Sequence, residues 1–349
     1  MTTTVTALPL PAHYEPAKMV DDGRWLDYGG LMTAALDWRD GHGLKASATD
    51  HVKLGLLVID AQNTFCHPKG ELFVGGRSGM GAVEDSQRTV EFIYRNLGLI
   101  TDIHCTLDTH RAYAVFHPTF LVDDHSSNPG PFTLVSHQDI LDGKWKASPF
   151  MASALRVPLT AAQKHLEHYT AQLAKAGRYD LTVWPFHAML GGKGHTLVSG
   201  LEEACFFHAI ARGAQTGFEV KGTNAFTENY SVLGPEVLTT AGDRQLPSAQ
   251  RNTLFIEMLL KFDVLVIAGQ AKSHCVAWSI DDLLNDITTK DPALAGKVYL
   301  LEDCTSPVVI PGVLDYTDEA NAAFDRFRDA GMHVVQSTDP VDSWPDIQL

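Results

Sequence analysis

The stretch that most limits the fold is Val264-Leu-Val-Ile-Ala268, five apolar residues in a row that stop at Gly269. A run this short and this uniformly apolar is what a parallel strand buried on both faces requires. Beyond it Val276, Ile280, Leu283, Leu284 and Ile287 recur at intervals of three or four, which predicts an amphipathic helix. Strand, turn and helix in succession place Cys275 in the first turn of that helix. There the positive end of the helix dipole and unpaired backbone N–H groups are expected to lower the thiol pKa and to hold an oxyanion beside it.

The same alternation recurs along the chain. The apolar run 54–60 is a first strand ending in Asp60, a helix fits 83–97, and a second strand over 100–107 ends at Asp108-Thr-His110. Thr160 with Gln163 is a capping-box signal for a helix over 160–177. A third strand is expected at 180–184, before Pro185-Phe-His187, then a helix over 196–211 and a fourth strand over 218–221. A helix over 248–261 leads into the fifth strand, a sixth at 297–302 ends beside Asp303, and a helix near 319–329 precedes a last apolar segment, 332–335. Alternation of this kind implies an α/β fold: a doubly wound, mainly parallel six-stranded sheet with helices on both faces and right-handed crossovers. No linker divides it, so residues 51–340 read as one domain. Residues 1–50 read as an N-terminal extension with a short helix near 31–38, packed on that domain or on a neighbouring subunit. Residues 118–158, rich in Pro and Gly, read as an insertion forming a lid or a subunit contact.

Charge narrows the partners. With 27 basic against 42 acidic residues the net charge is -15, which argues against nucleic acid and anionic membranes and leaves a small molecule. Five cysteines without CxxC pairing suit a reducing, cytoplasmic compartment. No apolar run approaches the ~20 residues of a membrane span. The Gly-rich piece from Gly75 to Gly81 lacks the Lys-Ser/Thr ending of a phosphate loop, and the first strand runs into Ala61-Gln-Asn-Thr-Phe65 instead of a dinucleotide fingerprint. It reads as a surface turn.

Ligands of such sheets bind beyond the carboxyl ends of the strands. Asp60, Asp108, His110, His187, Lys221, Cys275 and Asp303 are all expected on that one rim. A cysteine nucleophile needs a base and a cation, and Asp60 with Lys221 supplies both: Asp60 takes the thiol proton while Lys221 compensates the buried charges. Asp108 and His110, two apart on an extended segment, point to the same side. With His187 they make a carboxylate and two imidazoles, a set suited to a divalent metal, zinc foremost. His117 competes with His187 for the third place. His165, His168 and His195 read as packing or surface histidines, and His274 is not paired with Cys275 because neighbouring side chains at a helix start diverge.

These residues resemble the isochorismatase-like cysteine hydrolases, and among them the nicotinamidases and related amidases. The likeness rests on Ile59-Asp-Ala-Gln-Asn-Thr-Phe65, Asp108-Thr-His110, Trp184-Pro-Phe-His187, Val220-Lys-Gly222 with Tyr230-Ser231, and Gly269-Gln-Ala-Lys-Ser-His-Cys275-Val276, in the family's order over about residues 54–337. It implies a triad of Asp60, Lys221 and Cys275, and a metal held by Asp108, His110 and His187. It also implies a cis peptide before Ala271, and an oxyanion hole from the N–H groups of Ala271 and Cys275. The simplest members are shorter, and Arg111, Lys272 and His274 depart from common family residues, so the likeness does not extend to the substrate.

Three functions follow. The first is hydrolysis of a small-molecule amide through a thioester by a homo-oligomeric enzyme. Vinyl ether hydrolysis on the same fold is the second, against which Cys275 counts, and a non-catalytic metal-binding scaffold is the third.

Overall fold

The computed structural model describes residues 7–21, 25–177 and 179–349. Parts of the N-terminal extension, residues 1–6 and 22–24, lie outside the described residues. In chain order the principal elements are α1 (Tyr28–His42), β1 (Leu54–Ile59), α2 (Gly81–Arg95), β2 (Ile100–Asp108), α3 (Leu159–Lys175), α4 (Ser199–Arg212) and β3 (Gly217–Lys221). They continue with α5 (Thr253–Leu259), β4 (Val264–Gly269), α6 (Ala277–Lys290), β5 (Val298–Leu301), α7 (Thr317–Asp329) and β6 (His333–Val335).

The six strands form one sheet in the order β6-β5-β4-β1-β2-β3, and every neighbouring pair is parallel. Every residue of β1 and of β4 is buried, as expected of central strands whose side chains are all apolar or glycine. From β1 the chain moves outward to β2 and β3, then returns to β4 on the other side of β1. Direction therefore reverses between β1 and β4, and it is outside the carboxyl ends of strands at such a reversal that open α/β sheets bind ligands. Asp60 and Gly269 end the two strands that flank it.

The sheet has six strands, but one is not the expected one. Within the segment 180–184, Leu181–Thr182 pairs antiparallel with Leu134–Val135 in a small separate ribbon. The sixth place belongs to His333–Val335, which pairs with β5. Both segments are short apolar runs, and hydrophobicity alone does not say which backbone a strand will pair with. Asp303 is also displaced from the site: its carboxylate accepts from the Ser337 N–H at 2.8 Å and hydroxyl at 2.7 Å, tying down the chain after β6.

The N-terminal extension carries a helix longer than expected. Asp27 caps α1 by accepting from the Gly30 N–H, and α1 packs on α4. In the insertion, Leu121–Val122 pairs with Lys146–Ala147, and short helices span His137–Leu141 and Pro149–Ala154. The capping box expected at Thr160 and Gln163 is absent. Here α3 starts after Pro158 without a side-chain cap, and the Gln163 side chain accepts from the Ala147 N–H at 2.9 Å, fastening the insertion to α3. A capping box does form at Ser136 and Asp139. The Gly75–Gly81 piece is a turn closed by the Gly81 N–H on the Gly75 carbonyl at 2.8 Å, with Arg77 exposed and paired to Asp315. Among the described residues no helix is long and apolar enough to cross a membrane.

Candidate active site

Three strand ends converge on one buried ammonium. Lys221 closes β3, an edge strand that exposes Phe218 and Val220 by half or more yet leaves its lysine 4% exposed. That inverts the usual preference, since lysine is almost never fully buried unless paired. The partners are present: Lys221 Nζ lies 2.9 Å from Asp60 Oδ2, 3.0 Å from Asp108 Oδ1, 2.8 Å from the Asn229 carbonyl and 3.5 Å from Cys275 Sγ. Burial alone would lower the Lys221 pKa, but Asp108 and Asp60 more than offset it and hold the ammonium well above its ordinary value.

Asp60 leaves β1 with φ of 46° and is fully buried. Thr106 on β2 clamps it, its hydroxyl donating to Asp60 Oδ1 at 2.5 Å while accepting from the Asp60 N–H at 3.0 Å. Burial raises the Asp60 pKa, Lys221 lowers it and Asp108 raises it again, with the balance upward. A carboxyl poised upward beside a thiol is suited to carry a proton.

Cys275 lies in a wide, π-type turn over Lys272–Val276 that joins β4 to α6. The turn is entered through a cis peptide between Gln270 and Ala271, as the resemblance implies. Gly269 has φ of 118°, and any side chain there would collide with the Ile59 backbone, so glycine lets β4 turn close against β1. The expected drop in the thiol pKa is not found. Burial raises it, Lys221 lowers it, and Asp60 and Asp108 raise it further, leaving it well above its ordinary value. Cys275 is 7% exposed, and at that depth loss of hydration and two nearby carboxylates outweigh the Lys221 charge. The resting thiol therefore keeps its proton.

Asp108, His110 and His187 present ligand atoms that all lie within 4.8 Å of one another. His110 Nδ1 is 3.0 Å from the Gly222 carbonyl, and His187 Nδ1 is 2.8 Å from the Pro185 carbonyl. A carbonyl only accepts, so each Nδ1 carries the proton and each Nε2 turns a lone pair inward. Those lone pairs meet Asp108 Oδ2 at 2.7 Å and 3.5 Å. Lone pairs facing a carboxylate repel unless a cation stands among them, and the set of two imidazoles and one carboxylate fits a divalent ion. Gly222, with φ of 78°, is needed here because a side chain would press on His110 and Asp108. His117 stands farther off: its Nδ1 is likewise bonded to a carbonyl, that of Arg111 at 3.1 Å, and its Nε2 is buried without a partner, but its ring centre is 5.7 Å from those of His110 and His187, against 4.7 Å between those two.

Cys275, Ala271 and the side chains of Asp108, His110 and His187 open on one narrow cavity. Phe65, Leu72, Val74 and Val308 line it with apolar surface, and Trp184 and Tyr230 with aromatic rings. His274 and Glu228 line it too, and sequence reasoning missed both. The His274 ring is packed among Tyr179, Trp184, Tyr230 and Tyr316, which push its pKa down to about 3 by burial and keep it neutral. It sits in the wide turn at Lys272–Val276. Glu228 gave one signal, an acid seven residues past Lys221 in Thr227-Glu-Asn-Tyr230. Of the other histidines, His195 bonds Thr109 at 2.8 Å, while His165 bonds the Phe226 carbonyl and His168 bonds Thr239.

Solved structures share this architecture. A yeast nicotinamidase, Pnc1p, bound to the inhibitor nicotinaldehyde superposes with a TM-score of 0.50 at 16% identity, covering 81% of this chain and 99% of its own. At that identity the likeness is one of fold alone, the isochorismatase-like α/β fold. An Acinetobacter baumanii nicotinamidase/pyrazinamidase matches at 17% identity over 82% of this chain and 97% of its own, with a TM-score of 0.46. A Pyrococcus horikoshii pyrazinamidase in complex with zinc matches at 17% identity over 81% and 99%, with a TM-score of 0.41. No family model matches the chain, and no curated protein matches it in sequence.

Proposed function

We propose that this chain is a metal-assisted cysteine hydrolase that cleaves a small, nicotinamide-like amide through a thioester. The observation that carries the reading is the Lys221 ammonium, held within 3.5 Å of Asp60, Asp108 and Cys275, the last two of which line one cavity.

In this reading Asp60 accepts the Cys275 proton as Sγ bonds to the amide carbonyl carbon. Lys221 keeps the pair of buried anions tolerable during the transfer. The carbonyl oxygen, now an oxyanion, is received by the N–H groups of Ala271 and Cys275, both beside the cavity. As the C–N bond breaks, Asp60 returns the proton to the leaving amine. Water then adds to the thioester, giving its proton to Asp60, and the C–S bond breaks with the thiolate reprotonated from the same carboxyl. Asp108, His110 and His187 would hold the divalent ion, zinc foremost, which when bound orients substrate or water by Lewis acidity. Vinyl ether hydrolysis has no use for a thiol paired with an acid and an amine, and a scaffold has no use for a buried cysteine lining a cavity.

Cys275→Ala should abolish ammonia release from a panel of carboxamides, nicotinamide included, while the fold persists by circular dichroism. Undiminished release in that variant would refute the reading.

A further inference from the structure

The Ala271 N–H, one of the two oxyanion donors of the proposed reaction, differs from its neighbours. The Gln270 N–H donates to the Ile59 carbonyl at 2.7 Å, and the Lys272 N–H donates to the Ser306 carbonyl at 2.8 Å. Between them the Ala271 N–H meets no acceptor among the described residues, although Ala271 is 5% exposed and lines the cavity beside Cys275. Buried backbone donors are almost always paired, and an unpaired one beside a cavity is free for a substrate oxygen.

A hydrogen-bonded chain running out from α2 holds this segment. Asp85 on α2 and Gln270 are 3% and 1% exposed. Arg88 Nη2 and Gln270 Nε2 donate to different oxygens of the Asp85 carboxylate, each at 2.8 Å. The other end of the Gln270 amide, Oε1, accepts from the Ser306 N–H at 3.3 Å. That N–H only donates, so Oε1 faces Ser306 and Nε2 faces Asp85. Ser306 thus grips the chain on both sides of Ala271, Gln270 through its N–H and Lys272 through its carbonyl. Packing alone does not call for this arrangement, because burying a carboxylate is costly and an apolar pair would fill the same space.

We propose that Asp85 is a positioning residue of the reaction: acting through Gln270, it holds the Ala271 N–H aimed at the place where the oxyanion forms. The proposal rests on the amidase reading and deepens it. A donor fixed in advance stabilises charge that appears only in the transition state, so loss of the link lowers kcat and leaves binding of the resting amide alone.

The test exchanges the two ends of the link. In Asp85→Asn the new amide either faces the Gln270 amide donor to donor or turns and loses Arg88, and in Gln270→Glu two carboxyl groups face each other. The double variant Asp85→Asn/Gln270→Glu restores the contact with its direction reversed, while Arg88 and Ser306 keep their acceptors. On the best substrate of the carboxamide panel each single variant should lose kcat by at least about tenfold, within the roughly 10²–10³-fold that removal of an oxyanion donor costs, with KM changed less than about threefold. The double variant should return to within about threefold of the wild type. An aldehyde of the same skeleton, which gains an S–C bond to Cys275 as its carbonyl becomes a hemithioacetal C–O, should bind the single variants more weakly by the factor that kcat loses. Alkylation of Cys275 by iodoacetamide forms no oxyanion and should keep its wild-type rate. A double variant that stays impaired or does not fold overturns the link between Asp85 and Gln270, and so does wild-type kcat in both single variants. An equal loss in amide KM, aldehyde affinity and alkylation, or single variants that do not fold, marks a structural role and overturns the Asp85 assignment alone. No ammonia from any amide with the wild type, or undiminished release in Cys275→Ala, overturns the amidase reading as well.

Discussion

Lys221→Met tests the centre of the site without any substrate. The methionine matches the lysine stem in length but removes the charge that stands 2.9 Å from Asp60 and 3.0 Å from Asp108. At an effective dielectric of about 20, each of those contacts is worth on the order of 5 kcal/mol of gross attraction. Much of it is offset by the cost of burying an ammonium, which the variant no longer incurs. What remains is two carboxylates, 0% and 4% exposed, that have lost the ammonium between them. Breaking a buried pair in this way costs about 3–5 kcal/mol, a large part of the about 5–15 kcal/mol that stabilises a typical domain. Guanidinium unfolding at pH 7, followed by both circular dichroism and tryptophan fluorescence, measures the loss. A double-mutant cycle sharpens it. Asp60→Asn should destabilise the wild type, yet in the Lys221→Met background it should recover roughly 1–3 kcal/mol by removing the repulsion. An unchanged unfolding midpoint in Lys221→Met, or equal effects of Asp60→Asn in the two backgrounds, would refute the idea that Lys221 compensates these acids.

Other outcomes follow from the same geometry. His274 has a folded pKa of about 3 against an unfolded value near 6.5, so its contribution is fully present above pH 6.5 and is lost as the pH falls toward 3. His274→Phe should therefore flatten the acid limb of stability against pH by about 1.4 kcal/mol per pH unit, read from denaturant midpoints between pH 4 and 6.5. In Gly269→Ala the new side chain meets the Ile59 backbone, and a loss of roughly 4 kcal/mol or more is expected, seen as a collapse of the thermal midpoint. His187→Ala should lose bound metal by elemental analysis, whereas His117→Ala should retain it; the reverse pattern would exchange their roles. Treatment with a chelator should reduce amide turnover without reducing the alkylation of Cys275 by iodoacetamide.

Much of this was legible in the chain. The central strands β1 and β4 read clearly because every residue in them is apolar or glycine, a pattern that burial on both faces demands. Peripheral strands were harder. His333–Val335 contributes only three residues to the sheet, and the run at 181–182 is equally apolar but pairs elsewhere. Asp60, Asp108, His110, Lys221 and Cys275 were found because a charged or reactive residue at the end of an apolar run breaks the local pattern. Glu228 and His274 break no such pattern: one lies in the irregular segment after β3, and the other in the wide turn at Lys272–Val276.

By itself, then, the order of residues determined the alternation of strand and helix, and hence which polar side chains share the rim of the sheet, since those depend on local periodicity and on strand ends. Only the tertiary structure decided the upward shift of the Cys275 thiol, the tautomers of His110 and His187 and which strand closes the sheet. Each of these is set by burial and by partners distant in sequence, such as Lys221 beside Asp60 and Asp108, and energies of that kind exist only once the chain has brought the groups together.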